Sequence, residues 1–139
     1  APVLIASVKE HVRSFAESLG VPTSQIVIGG RSMGGRMCSM AIADEEDPLV
    51  VAGLVLVSYP LHPPKKPDTL RIEHLPRVAV PTLCISGTKD NFGTPQELEE
   101  AFVVVPGVVT WSWVDNGRHE LAKADAEVAE RIGAWVTKL

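Results

Sequence analysis

A chain of 139 residues that is 45% apolar can bury one hydrophobic core, which argues against a disordered segment or a low-complexity tail. Thirteen basic against seventeen acidic residues leave a net charge of −4, and no basic block exceeds Lys65-Lys66, so nucleic acid is not an expected partner. The two cysteines, Cys38 and Cys84, lack metal-ligand spacing and no apolar run reaches the length of a membrane span or signal peptide; a cytoplasmic protein without metal or cofactor is expected.

Leu4 or Ile5, Val8, Val12, Phe15 and Leu19 recur at three- and four-residue steps with Lys9, Glu10, Arg13 and Glu17 opposite, which predicts an amphipathic helix over residues 2–19. Gly20 and Pro22 stop it, and Ile26-Val27-Ile28 is a β-branched run suited to a buried parallel strand. Met33 to Ala43 returns to a helical pattern, an acidic turn spans Asp44 to Pro48, and Val50 to Tyr59 reads as a second strand. The segment from Pro60 to Pro81 holds six of the eleven prolines and reads as loop, with at most a short helix around Leu70 to His74.

Thr82 to Ser86 forms a third apolar strand that runs into Gly87-Thr88-Lys89-Asp90. Thr94 as cap, Pro95 in the first turn and Glu97 three residues after the cap predict a helix reaching about Phe102. Val108 to Val114 is a fourth strand with Trp111 and Trp113 on one face, and Asp115 to Glu120 is a loop. Leu121, Val128, Ile132, Trp135 and Val136 place a last helix. Helices alternating with short, wholly apolar strands predict a single α/β domain over residues 1–139, built on a parallel sheet of four strands.

The stretch "IVIGGRSMGGRMCSM", residues 26–40, surrounds Ser32 with Gly29, Gly30, Gly34 and Gly35. A phosphate-binding loop would end in Gly-Lys-Ser/Thr, whereas Gly34-Gly35 is followed by Arg36-Met37, and a dinucleotide fingerprint is not spelled. The pattern matched is GxSxG, in Gly30-Arg31-Ser32-Met33-Gly34, between a predicted strand and a predicted helix. In that context the serine stands on a strained turn as a nucleophile, and the Met33 N–H, at the helix start, faces a developing oxyanion.

A serine hydroxyl needs a histidine to take its proton and a carboxylate to orient that histidine. Asp90 follows the third predicted strand and His119 the fourth, so nucleophile, acid and base occur in the order this elbow requires. Singly, Asp90 also fits a turn residue and His119 a surface histidine. Together with the elbow, on one predicted edge of the sheet, they form a coherent catalytic set of Ser32, Asp90 and His119. Asp115 is the rival acid but lies too near His119 in sequence, His11 falls on the polar face of the first helix, and Met33, Met37 and Met40 read as core beneath the elbow.

With "GGRSMGGR" (29–36), "YPLHPP" (59–64), "RIEHL" (71–75), "VPTLCISGTKDNFG" (80–93) and "NGRHE" (116–120), the chain resembles the α/β-hydrolase superfamily. The similarity is to its small lidless branch related to dienelactone hydrolases and testis-expressed protein 30. The resemblance implies Ser32 as nucleophile, Asp90 as acid, His119 as base and a shallow pocket, with Arg31, Tyr59, His62 and Phe92 as substrate-binding candidates and Arg71 and His74 nearby. Arg31 and Arg36 favour an anionic ester if they face the pocket, and are surface or ion-pair residues otherwise.

In that superfamily further strands precede the elbow strand, and the loop carrying a second oxyanion donor lies among them. The resemblance therefore implies that the chain is the C-terminal part of the fold. Its elbow strand becomes an edge that pairs with the missing N-terminal half or with a second copy. Two functions are expected from this: a serine hydrolase acting on a small-molecule ester, or a non-catalytic interaction module or complex subunit that keeps the fold.

Overall fold

The computed structural model describes residues 1–139. Its main elements are α1 (Pro2–Leu19), β1 (Val27–Arg31), α2 (Met33–Ile42), β2 (Gly53–Val57), β3 (Thr82–Gly87), α3 (Pro95–Ala101), β4 (Val109–Val114) and α4 (Asp125–Val136), with short 3-10 turns at Thr23–Gln25, Leu75–Arg77 and Phe102–Val104. The strands form one sheet in the order β1-β2-β3-β4, every pair parallel, with Gly30 beside Leu56, Leu56 beside Cys84 and Cys84 beside Trp111.

The apolar runs are continuous because helices cover both faces. Leu54, Leu56 and Cys84 point into a core shared with Ile42, Leu98 and Phe102, while Val55, Val57, Leu83 and Ile85 point the other way onto Leu121 and Val128. β2 and β3 are buried throughout, whereas β1, at the edge, has only β2 beside it and leaves Gly29 and Arg31 exposed. The α3 capping box forms as its sequence requires: the Glu97 N–H donates to Thr94 Oγ1 at 3.2 Å and the Thr94 N–H to Glu97 Oε1 at 3.0 Å.

Several expectations are corrected. β1 extends through both glycines to Arg31, β2 is confined to residues 53–57, and the short turn after β2 sits at Leu75–Arg77 rather than Leu70 to His74. Leu121 precedes α4, in a turn where its φ is 48°. On α1, Lys9 is buried whereas Leu4, Phe15 and Leu19 are about half exposed. The reason is a distant partner: the Lys9 ammonium pairs with Asp44 and lies 3.7 Å from Asp47, so its aliphatic stem packs inward beside Ala16. Met37 is core as expected, but Met33 is exposed at the mouth of the elbow. Cys38 and Cys84 are both buried and unpaired, and no helix is long and apolar enough to cross a membrane.

Candidate active site

Ser32 joins β1 to α2 with φ 52° and ψ −122°, a conformation that costs a non-glycine residue about 1–3 kcal/mol. Its neighbours hold it there: the Ser32 N–H donates to the Val57 carbonyl at 2.7 Å, and the Arg36 N–H donates to the Ser32 carbonyl at 3.1 Å. Strand and helix meet across Gly30 and Gly35. A Cβ on Gly30 would lie 2.6 Å from the Gly35 nitrogen, and one on Gly35 would lie 2.6 Å from the Gly30 carbonyl oxygen. Gly34, the second glycine of the motif, faces open space, so the close approach falls one residue later than the motif implies.

Parallel pairing of β3 and β4 brings the two following loops to the same edge of the sheet. His119 Nε2 lies 2.8 Å from Ser32 Oγ, and His119 Nδ1 lies 2.9 and 3.1 Å from the two carboxylate oxygens of Asp90. Because a carboxylate only accepts, the Nδ1 proton points to Asp90, which leaves Nε2 free to accept from the Ser32 hydroxyl. Asp90 is buried, and its Oδ1 also accepts the Phe92 N–H at 2.8 Å. The Phe92 ring stacks on His119 with centroids 3.9 Å apart. The imidazole side chain stays 20% exposed, so the assembly is open to a ligand.

Two residues the sequence reading passed over make this possible. A Cβ on Gly87 would lie 2.1 Å from the Gly117 carbonyl oxygen, and that carbonyl accepts the Lys89 N–H at 2.8 Å. The Asn116 N–H donates to Thr88 Oγ1 at 2.8 Å, which ties the loops together a second time. A glycine just before "TKD" and another inside "NGRHE" were the available signal, but only register shows that they face each other.

The remaining candidates divide. Met33 is the first residue of α2, where a helix leaves its N–H groups unpaired. Phe92 is at the site through its stack on His119. Arg31 is an ion-pair residue, donating to the Glu120 carbonyl at 2.7 Å and to Asp125 at 3.3 Å, which braces the segment after His119. Tyr59 is core: its hydroxyl donates to the Arg71 carbonyl at 2.7 Å, its ring meets Phe102 edge-on, and burial pushes its pKa up to about 12.

His62 is buried, with Nδ1 2.7 Å from the Pro63 carbonyl and Nε2 3.0 Å from Glu97. Burial disfavours its charge, but acceptors on both nitrogens outweigh that and hold its pKa above the ordinary histidine value. It clasps the proline-rich segment to α3, and its N–H donates to the Phe92 carbonyl at 3.0 Å. Asp115 is exposed, and His11 bonds back to Ser7 on α1. A concavity of about 770 Å³ lies between α1 and the acidic turn and is lined by none of Ser32, Asp90 or His119.

This architecture recurs in solved structures. An alpha/beta hydrolase enzyme from the metagenome of lagoon sediments at Mar Chica, Morocco, matches 96% of this chain with a TM-score of 0.68 at 18% identity, over 70% of its own length. A carboxylesterase of Bacillus cereus matches 96% of this chain with a TM-score of 0.63 at 22% identity, over 59% of its length. The esterase domain of a Rhodothermus marinus protein matches 96% with a TM-score of 0.73 at 17% identity, over 68% of its length. At these identities the likeness is one of fold. A family profile described as an alpha/beta hydrolase domain matches residues 1–135, and the chain belongs to that family.

Proposed function

We propose that this chain carries the catalytic residues of a serine hydrolase that cleaves esters of small molecules. The observation that carries the reading is the relay itself, with Ser32 Oγ 2.8 Å from His119 Nε2 and His119 Nδ1 2.9 Å from buried Asp90. His119 Nε2 takes the Ser32 proton as Oγ attacks the ester carbonyl, and Asp90 supports the imidazolium. The tetrahedral oxyanion faces the Met33 N–H at the start of α2. Collapse expels the alcohol, which takes the proton from His119. Water, deprotonated by His119, then attacks the acyl-enzyme and restores Ser32.

A fluorophosphonate probe tests this reading. It labels Ser32 in the wild-type chain and fails to label Ser32→Ala; a folded wild type that resists the probe overturns the proposal. A second reading, an interaction module that keeps the fold, is favoured by the unpaired outer edge of β1 and by the exposed Leu4, Phe15 and Leu19 of α1. It gains if labelling fails while a partner strand, from an N-terminal segment or from a second copy, binds that edge.

A further inference from the structure

A cavity of about 300 Å³ opens beside α2 and is lined by Arg36, Arg71, Arg77, His74, Met40 and Glu73 among others. Arg77 is engaged: its Nε donates to the Ala43 carbonyl at 2.8 Å and it lies 3.4 Å from Glu45. Arg36 and Arg71 are not. Arg36 Nε is buried with no hydrogen-bond partner, and its Nη1 reaches only the weak acceptor Met33 sulfur, at 3.8 Å. Arg71 has a long bond of 3.4 Å to the Pro60 carbonyl. Neither forms an ion pair, although Arg13, Arg31 and Arg131 each meet a carboxylate and Arg118 is exposed to water.

Nothing on the protein side neutralises this pair. The Tyr59 hydroxyl near both arginines stays protonated, since burial pushes its pKa up to about 12. His74, 2.7 Å from Ser39 Oγ, is pushed down to about 4 by burial and then by Arg36 and Arg77, so it is neutral. Glu73, the one acid lining the cavity, contacts neither guanidinium closely enough to pair. Partly buried guanidinium groups without a counter-charge are costly unless a ligand supplies it. Their forked donors match the oxygens of a carboxylate or phosphoryl group. Ser32 does not line the cavity, but Arg36 stands four residues beyond it, about 6 Å along the axis of α2, a distance that one ester with an acidic arm spans.

We propose that this cavity is an oxyanion subsite, held by Arg36 and Arg71, for a carboxylate or phosphoryl group on the molecule whose ester bond lies at Ser32. The substrate class is then an ester bearing a negative charge. The binding half of this proposal stands on the cavity alone; the substrate half rests on the serine-hydrolase reading.

The test begins with the wild-type chain, titrated with monomethyl succinate and with its neutral counterpart, dimethyl succinate, while the Hε–Nε resonances of Arg36 and Arg71 are followed by NMR. Saturable shifts at both arginines, and binding about tenfold or more tighter for the anionic ester, are expected. Arg71→Gln removes that preference, and Arg71→Lys, which keeps the charge but loses the fork, restores part of it. Equal affinity for the two esters, or a preference that survives both Arg36→Gln and Arg71→Gln, overturns the proposal. Competition by inorganic phosphate assigns the subsite to a phosphoryl group, and preference for the succinate ester without such competition assigns it to a carboxylate.

The substrate half is read from 4-nitrophenyl hemisuccinate against 4-nitrophenyl acetate. The ratio of their kcat/KM values is expected to fall about tenfold in Arg71→Gln. Selective binding without fluorophosphonate labelling or hydrolysis refutes the hydrolase reading and leaves the subsite intact. Labelling with equal use of both esters does the reverse.

Discussion

Gly87, at the end of β3, and Gly117, just past β4, approach so closely that a Cβ on Gly87 would lie 2.1 Å from the Gly117 carbonyl oxygen. Asp90 follows the first glycine and His119 the second, so this backbone contact sets the distance at which carboxylate and imidazole meet. Gly87→Ala is therefore expected to push the two loops apart, with a stability loss of about 1–3 kcal/mol and a fall in kcat of about a hundredfold. Thermal unfolding and steady-state kinetics on the same sample measure both. Unchanged turnover would mean that the contact does not position the pair.

The elbow offers a contrast within one motif. Gly30→Ala places a methyl group 2.6 Å from the backbone of Gly34 and Gly35, whereas Gly34→Ala meets nothing within 4 Å. Urea midpoints should show Gly30→Ala destabilised by about 1–3 kcal/mol or more, because backbone cannot move aside as a side chain does. Gly34→Ala, in a helix, should gain about 0.5–1 kcal/mol.

Asp90→Asn keeps the shape of the side chain and an oxygen to accept the Phe92 N–H at 2.8 Å. It loses the charge that fixes the Nδ1 proton of His119 and supports the imidazolium. Ester turnover is expected to fall by about 10⁴, the size of effect that this substitution has in other Ser-His-Asp enzymes. Initial rates at saturating ester measure it, and an Asp90→Asn variant that turns over at the wild-type rate would remove Asp90 from the mechanism.

His74 makes stability depend on pH. Its folded pKa, about 4, lies below the ordinary value of 6.5, because burial and then Arg36 and Arg77 oppose its charge. Between those values the unfolded chain binds the proton and the folded chain does not, so stability rises with pH across that window. The full span corresponds to about 3 kcal/mol. Urea midpoints should climb from pH 4 to 6.5, and His74→Gln should lose that part of the slope. His62 acts in the opposite sense: its pKa is raised, so its contribution is present below the unfolded value and is lost as pH rises through the folded one.

The order of helices and parallel strands was legible along the chain, because apolar periodicity and the caps at Gly20 and Thr94 act over a few residues. The elbow was legible too, since GxSxG between a strand and a helix is a local pattern. Chain order brought Asp90 and His119 forward as the proposed acid and base, and their meeting waited on the register of β3 and β4. It took long-range packing to turn Lys9 inward to Asp44, to hold Tyr59 and His62 in the interior, and to make Arg31 brace a loop. The same packing makes Gly35 and Gly87, rather than Gly34, carry the close approaches. The physical reason is the same throughout: propensity and spacing are properties of neighbours along the chain, whereas burial, pairing and steric contact depend on partners tens of residues away.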